Sequence, residues 1–146
     1  MFPEEAFHCV EFARDKFSKL FSIRPKTIQK IIETPDYIPG NDENKILREA
    51  VKLLKNVPQN YDDCISWARR KFQKYFVNDI QQLMFTYPLD AKTKDGNLFW
   101  TMPKRPPVPL NYKIEDELHT RFISTLAYLR AKMFGLNVQD NWRSEE

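Results

Sequence analysis

Glycine is scarce in this sequence: Gly40, Gly96 and Gly135 are the only three in 146 residues, and each stands alone. A phosphate-cradling Gly-rich loop is therefore excluded, and no nucleotide site of that kind is expected within the chain. Few glycines and abundant aromatics also argue against a turn-rich all-β fold and against disorder. Cysteine is rarer still, at Cys9 and Cys64. Two cysteines build no disulfide framework, and no secretory signal precedes them. Both fall on helical apolar spacing, so they read as buried, reduced, intracellular thiols. The histidines are His8 and His119, and no Cys-x-x-Cys or His-x-x-x-His pair exists. His8 and Cys9 are neighbours and point about 100° apart on a helix, so no metal site is expected. No apolar run approaches the length that crosses a membrane. The net charge of +3 keeps a domain soluble but is a weak basis for nucleic-acid binding.

What the sequence does have is an internal echo. Cys9 to Phe21 and Cys64 to Phe76 match at a constant offset of 55 residues, with Cys, Ala, Arg, two Lys and two Phe repeated in place. After a three-residue slip, Ile28 to Ile32 echoes Ile80 to Met84. Apolar positions in the first copy are Ala6, Val10, Ala13, Phe17, Leu20 and Phe21. In the second they are Tyr61, Ile65, Ala68, Phe72, Tyr75 and Phe76. Steps of three and four keep one helix face apolar, which predicts two similar core helices packed as a pseudo-symmetric pair.

The length fits one domain, expected over 2–146, that buries roughly two-thirds of its unfolded surface. Met1 followed directly by Phe2-Pro3 reads as an initiator on a piece of a longer chain. The first helix is expected from Pro3, with Glu4 and Glu5 in its first turn, to about Ser22, because Arg24 precedes Pro25. A short helix follows to Glu33. Pro35 to Asp42 reads as a loop, with Asn41 or Asp42 capping a helix from Glu43 to about Asn56. Its expected apolar face is Ile46, Leu47, Ala50, Val51 and Leu54. Asn60 caps the second repeat helix, with Asp63 in a capping-box-like position. Asn78-Asp79 is an expected break or kink before a short helix at Ile80 to Phe85. Leu89 to Tyr112 is a long Pro-rich ordered loop with a turn at Asp95-Gly96 and a short extended piece at Asn97 to Thr101. The last helix runs from about Glu115 to Phe134, with Leu118, Phe122, Leu126, Leu129 and Met133 as its buried stripe and Gly135 ending it; the polar tail from Asn137 is expected to fray. The fold class is all-α: a compact bundle of five or six helices with a long Pro-rich loop between the last two.

The residues single out no catalytic dyad, because charged pairs on helices read as solvated faces. Cys64 sits near a helix start with Arg69 and Arg70 one to two turns on, a thin case for an activated thiol. Its apolar spacing favours a packing role instead. Basic clusters occur at Arg14, Lys16, Lys19, Arg24, Lys26 and Lys30, at Arg69, Arg70, Lys71 and Lys74, and at Lys104-Arg105. Glu11, Asp15 and Glu33 interrupt the first cluster, and no nucleic-acid-binding signature accompanies any of them.

Asp95 to Pro107, reading Asp-Gly-Asn-Leu-Phe-Trp-Thr-Met-Pro-Lys-Arg-Pro-Pro, resembles the Gly…Phe-Trp-x-x-Pro-Lys-Arg-x-Pro signature of ubiquitin-activating enzymes. Phe12 to Phe17 is similar to that family's Trp-Ala-Arg-Asp-x-Phe helix, with Phe12 in place of Trp. Tyr61 to Ala68 resembles its Trp-x-x-Cys-Val-x-Trp-Ala helix. Asp79 to Met84, Tyr87 to Asp90 and Leu118-His119 match further segments in order, whereas Thr34 to Lys45 matches nothing. The resemblance covers nearly the whole chain and favours the ubiquitin branch.

The resemblance implies the all-helical half of a catalytic-cysteine domain. The parent enzyme uses ATP and magnesium to make a ubiquitin adenylate, forms a cysteine thioester and hands ubiquitin to a conjugating enzyme. Implied partners are the adenylation domains, ubiquitin and ubiquitin-conjugating enzymes; no membrane partner is expected, and the basic clusters are a weak basis for nucleic acid. The expected location is cytoplasmic and nuclear. In the family the nucleophile lies in Cys-Thr-x-x-x-Phe-Pro; Phe2-Pro3 match its end, and the Cys and Thr are missing. Neither Cys9 nor Cys64 corresponds to the nucleophile. No catalytic, cofactor-binding or metal residue is therefore expected in this chain. The competing reading is a stand-alone helical module that binds protein or nucleic acid through its basic faces.

Overall fold

The repeat in the sequence reappears as a shared interruption in two long helical rods. The computed structural model describes residues 5–36 and 40–138, without side chains at 41–43 and 46. In chain order the elements are α1 (Ala6–Ser18), a π-helical turn at Lys19–Ile23, α2 (Arg24–Glu33), α3 (Asn41–Lys55), α4 (Tyr61–Gln73), a second π-helical turn at Lys74–Asn78, α5 (Asp79–Thr86) and α6 (Glu117–Met133). The two π turns lie 55 residues apart, the offset of the repeat.

The expected break at Pro25 is a widened turn instead. Proline lacks an N–H and its ring presses on the carbonyl four residues back. Opening one turn to a five-residue bond absorbs that clash, and Arg24 N–H donates to Lys19 O. Arg24 keeps helical angles, φ −62° and ψ −49°, despite preceding proline. The break expected at Asn78-Asp79 resolves the same way, with Asp79 N–H donating to Lys74 O. The described chain thus forms four continuous helices, the first rod 6–33, α3 at 41–55, the second rod 61–86 and α6 at 117–133, rather than five or six separate helices. The all-α class holds.

The helix ends follow local chemistry. The start expected at Pro3 and Glu4 lies outside the described residues. Glu5 is the N-cap of α1, and its N–H donates to His8 Nδ1 at 3.2 Å. Asn60 Oδ1 accepts from Asp63 N–H at 3.0 Å, while Asp63 Oδ2 accepts from Gln59 N–H at 2.8 Å. The return bond thus lands one residue upstream of an ordinary capping box. Asp116 Oδ1 accepts from Leu118 and His119 N–H groups at 3.0 and 3.3 Å, so α6 begins two residues later than expected. At its other end Gly135 adopts φ +68°. Gly135 N–H donates to Lys132 O at 3.1 Å and Leu136 N–H to Ala131 O at 2.9 Å. This paired closure is a Schellman motif, which needs the left-handed conformation that glycine adopts without a Cβ penalty. The choice between Asn41 and Asp42 as a cap falls on side chains outside the described set.

The core is an antiparallel pair of α4 and α6. Phe72 meets His119 and Phe122 near the start of α6, at ring-centroid distances of 4.8 and 6.0 Å. Trp67 meets Arg130 near its end, at 4.4 Å. Along the same interface lie Cys64, Ala68, Ile123, Ala127 and Ala131, all buried. Small side chains four residues apart let the two backbones approach closely, and Phe72 fills the wider end. Burying that phenyl ring contributes roughly 1.5–3 kcal/mol.

Close approach also moves the buried face of α6. Its centre is Ile123, Ala127, Arg130 and Ala131, one step around from the expected stripe, and Leu118 is 73% exposed. On α3, Ala50 is buried and Leu47 and Leu53 are half-buried, whereas Val51 and Leu54 are exposed; Ile46 falls outside the described side chains. The expected pseudo-symmetric pair is not formed, because α6 occupies the side of α4 where such a partner would pack. Val138 packs against the core rather than fraying with the tail; residues beyond it lie outside the described set.

Candidate functional site

The repeat gives its two cysteines opposite environments. Cys64 is fully buried between α4 and α6, and burial pushes its thiol above the ordinary range, outweighing the pull of nearby Arg130. A raised thiol with no solvent access is a poor nucleophile. Cys9 is exposed, contrary to the expectation that helical spacing buries both. The physical reason is partnership: α6 covers the Cys64 face, and among the described residues nothing covers the equivalent face of α1. Phe7, Val10, Phe12 and Phe17 are exposed with it, and only Leu20 of the expected first stripe is buried.

Neither histidine is placed for metal chemistry. His8 Nδ1 accepts a backbone bond at the start of α1. His119 Nδ1 accepts from Lys113 N–H at 3.1 Å, and its ring packs edge-on against Phe72. No group of three or more His, Cys, Asp or Glu side chains among the described residues could hold a metal ion. No described helix is long and apolar enough to cross a membrane.

The Phe-Trp-Pro-Lys-Arg segment is a compact plug. Thr93 N–H donates to Asn97 O at 2.7 Å, Gly96 turns the chain at φ +79°, and a single bridge joins Lys92 to Leu98. Phe99 stacks on Tyr87 at 4.4 Å with ring planes 10° apart, Trp100 Nε1–H donates to Tyr87 O at 2.7 Å, and Lys104 Nζ lies 4.4 Å from the Phe99 centroid. These contacts tie the segment to the end of α5. Further on, Leu110 N–H donates 2.9 Å to Phe76 O in the second π turn. Tyr112 packs edge-on against Phe72, with the Arg69 guanidinium 4.4 Å from its ring. The π turn thereby gives the Pro-rich loop a docking point that helix periodicity does not reveal.

Part of each basic cluster is drawn into internal contacts. Lys74 pairs with Asp79 at 2.9 Å, Arg69 covers Tyr112 and Lys104 covers Phe99. Arg24 Nε and its terminal amine reach Glu49 Oε2 at 3.0 and 2.9 Å. Burial works against the Glu49 carboxylate, but the Arg24 bond and charge, helped by Lys19 and Lys45, hold it below the usual range. Beside this pair is a cleft of about 360 Å³ lined by residues of both rods, α3 and α6. One wall is Arg130, 3% exposed. Its terminal amine donates 2.9 Å to Asn56 O, and its guanidinium lies over Trp67. The pairing of α6 with α4 buries Arg130, and the only hint available in sequence was the flanking alanines, Ala127 and Ala131.

The described residues therefore define a class: an all-helical domain whose core thiol is shielded from solvent. Comparison with known proteins agrees with that class. The family described as "Ubiquitin-activating enzyme, SCCH domain" matches residues 3–145. "Ubiquitin-like modifier-activating enzyme 1" of Dictyostelium discoideum is 36% identical across 96% of this chain and 14% of its own length. "Ubiquitin-like modifier-activating enzyme 6" of Homo sapiens is 35% identical across 91% of this chain and 13% of its own. "Ubiquitin-activating enzyme E1 1" of Candida albicans is 36% identical across 92% and 14%. The chain belongs to the SCCH-domain family of ubiquitin-activating enzymes, and it spans a small fraction of the length of the relatives it matches.

Proposed function

We propose that residues 2–146 act as one helical unit, the half of a catalytic-cysteine domain that supports the nucleophile without supplying it. In this reading the parent enzyme adenylates ubiquitin using ATP and magnesium. A cysteine outside this chain attacks the acyl carbon, the bond to AMP breaks, and the thioester passes to a conjugating enzyme. The chain's own residues form the rigid body that carries the cysteine segment, with the α4–α6 core as its frame. The exposed apolar face of α1, Phe7 to Phe17, is where the remainder of the activating enzyme packs.

The observation that carries this reading is the complete burial of Cys64 in a chain of this family. The supporting argument is chemical: thioester exchange needs a thiolate that a bulky acyl adenylate can reach. The test is to incubate the chain with ubiquitin, ATP, magnesium and the adenylation module of a ubiquitin-activating enzyme. The expected result is no reducible ubiquitin adduct on the chain. A thioester on Cys9 or Cys64 refutes the proposal.

A further inference from the structure

The cleft between the two rods, α3 and α6 concentrates positive charge to a degree that scaffolding does not require. Arg24, Lys52, Arg70, Lys71 and Arg130 line it, against the single carboxylate of Glu49. Arg24 already occupies that carboxylate. Among the described residues no carboxylate pairs with Lys52, Arg70, Lys71 or Arg130. Arg130 is buried, its Nε has no hydrogen-bond partner among the described residues, and its guanidinium meets the Asn56 carbonyl just beyond α3 and the faces of Trp67 and Phe134. Partly buried cations crowded without counter-ions raise the free energy of the fold. The effect is visible at Lys71, whose ammonium is pushed down to about 8 by burial and then by the charges of Arg24, Lys74 and Arg130.

We propose that this cleft is a binding site for a small ligand carrying two or more phosphate groups. Guanidinium forks match phosphate oxygens, and the lysines add point charges. The volume of about 360 Å³ falls within the range of small-molecule sites, roughly 300–1,000 Å³, and suits a compact polyanion. The ligand would supply the counter-charge that the protein omits. Because its contacts come from α2, α3, α4 and α6, it would also clamp the α2–α3 pair onto the α4–α6 core. That core otherwise reaches the residue just beyond α3 through the Arg130–Asn56 bond. Binding would return Lys71 to full protonation, so affinity falls as pH rises above about 8. Beyond burial, the groups setting that titration are Arg24 on α2, Lys74 in the second π turn and Arg130 on α6, opposed by Glu49 on α3, while Lys52 on α3 and Arg70 on α4 also face the cleft.

The probe is tripolyphosphate, titrated into the full 146-residue chain by calorimetry and followed by Trp fluorescence, with inorganic monophosphate and a poly-Glu peptide as comparators. The expected result is tripolyphosphate binding at least tenfold tighter than monophosphate and a raised melting temperature. Lys52 and Arg70 are exposed, so K52E/R70E should keep the fold and lose at least tenfold in affinity. Lys26→Glu, outside the cleft, should bind as the parent does. Three outcomes overturn the proposal: no binding at millimolar tripolyphosphate, equal affinity in K52E/R70E, or tighter binding of the acidic peptide, which would make the occupant a protein segment.

Discussion

The contrast between the repeated cysteines is measurable as a reactivity ratio. The perturbation is a neutral, small thiol reagent added to the native chain, with the two cysteine-bearing peptides quantified separately by mass spectrometry. Cys9 is exposed and reacts from the folded state. Cys64 has no exposed surface, so it reacts only after α4 and α6 separate. That separation uncovers Phe72, Ala68, Ile123, Ala127 and Ala131 together, which is most of the main core. Opening on that scale costs a large share of global stability, itself about 5–15 kcal/mol for natural domains. Even an opening of about 4 kcal/mol slows the reaction about a thousandfold, at 1.4 kcal/mol per factor of ten. The raised Cys64 thiol lowers the thiolate fraction further. Labelling at neutral pH should therefore favour Cys9 by about three orders of magnitude or more, and the two rates should converge in concentrated urea. Native rates within about tenfold of each other would refute the packed α4–α6 interface and the scaffold reading with it.

Three more perturbations probe the same architecture. Ala127→Leu places three extra carbons where Cys64 and Ala68 already close the gap, and should destabilise by about 1–3 kcal/mol in urea unfolding. Asp116→Ala removes the side-chain acceptor for two N–H groups of α6, and thermal melts should show a loss of about 0.5–2 kcal/mol. Lys71→Met should stabilise the unliganded chain below pH 8, because burial and the neighbouring cations push the Lys71 ammonium down to about 8. The sign follows from linkage: the folded state holds fewer protons than the unfolded state between about pH 8 and 10.5, so the wild-type penalty fades across that window. Denaturant midpoints at pH 7 and 10.5 should show the gap between the two proteins closing; a constant gap would contradict the electrostatic origin.

The π turns explain why a repeated sequence produces unlike halves. Both rods use the same local solution at the same register, Lys19–Ile23 and Lys74–Asn78. In the second rod the Phe76 carbonyl receives Leu110 N–H from the Pro-rich loop, which leads through Tyr112 to α6. The position equivalent to Phe76 in the first rod is Phe21, which instead meets the edge of Trp67 at 6.1 Å. One copy became the centre of the core and the other its flank.

The sequence by itself determined the local structure: helical spacing, the cap at Asn60, the glycine stop at Gly135 and the turn at Gly96. It also carried the family, through the Phe-Trp-Pro-Lys-Arg segment. These are legible because each depends on neighbours within a turn or two, or on a motif read directly. The tertiary structure alone decided which apolar faces are covered. Cys9 and Cys64 share their spacing, yet only Cys64 meets α6, and burial is a property of the partner rather than of the helix. It likewise decided that Pro25 bends a rod instead of ending it, and that Arg130 faces inward. It also brought Arg24, Lys52, Lys71 and Arg130, scattered over more than a hundred residues of sequence, around one cleft, because charge convergence depends on packing and no linear pattern records it.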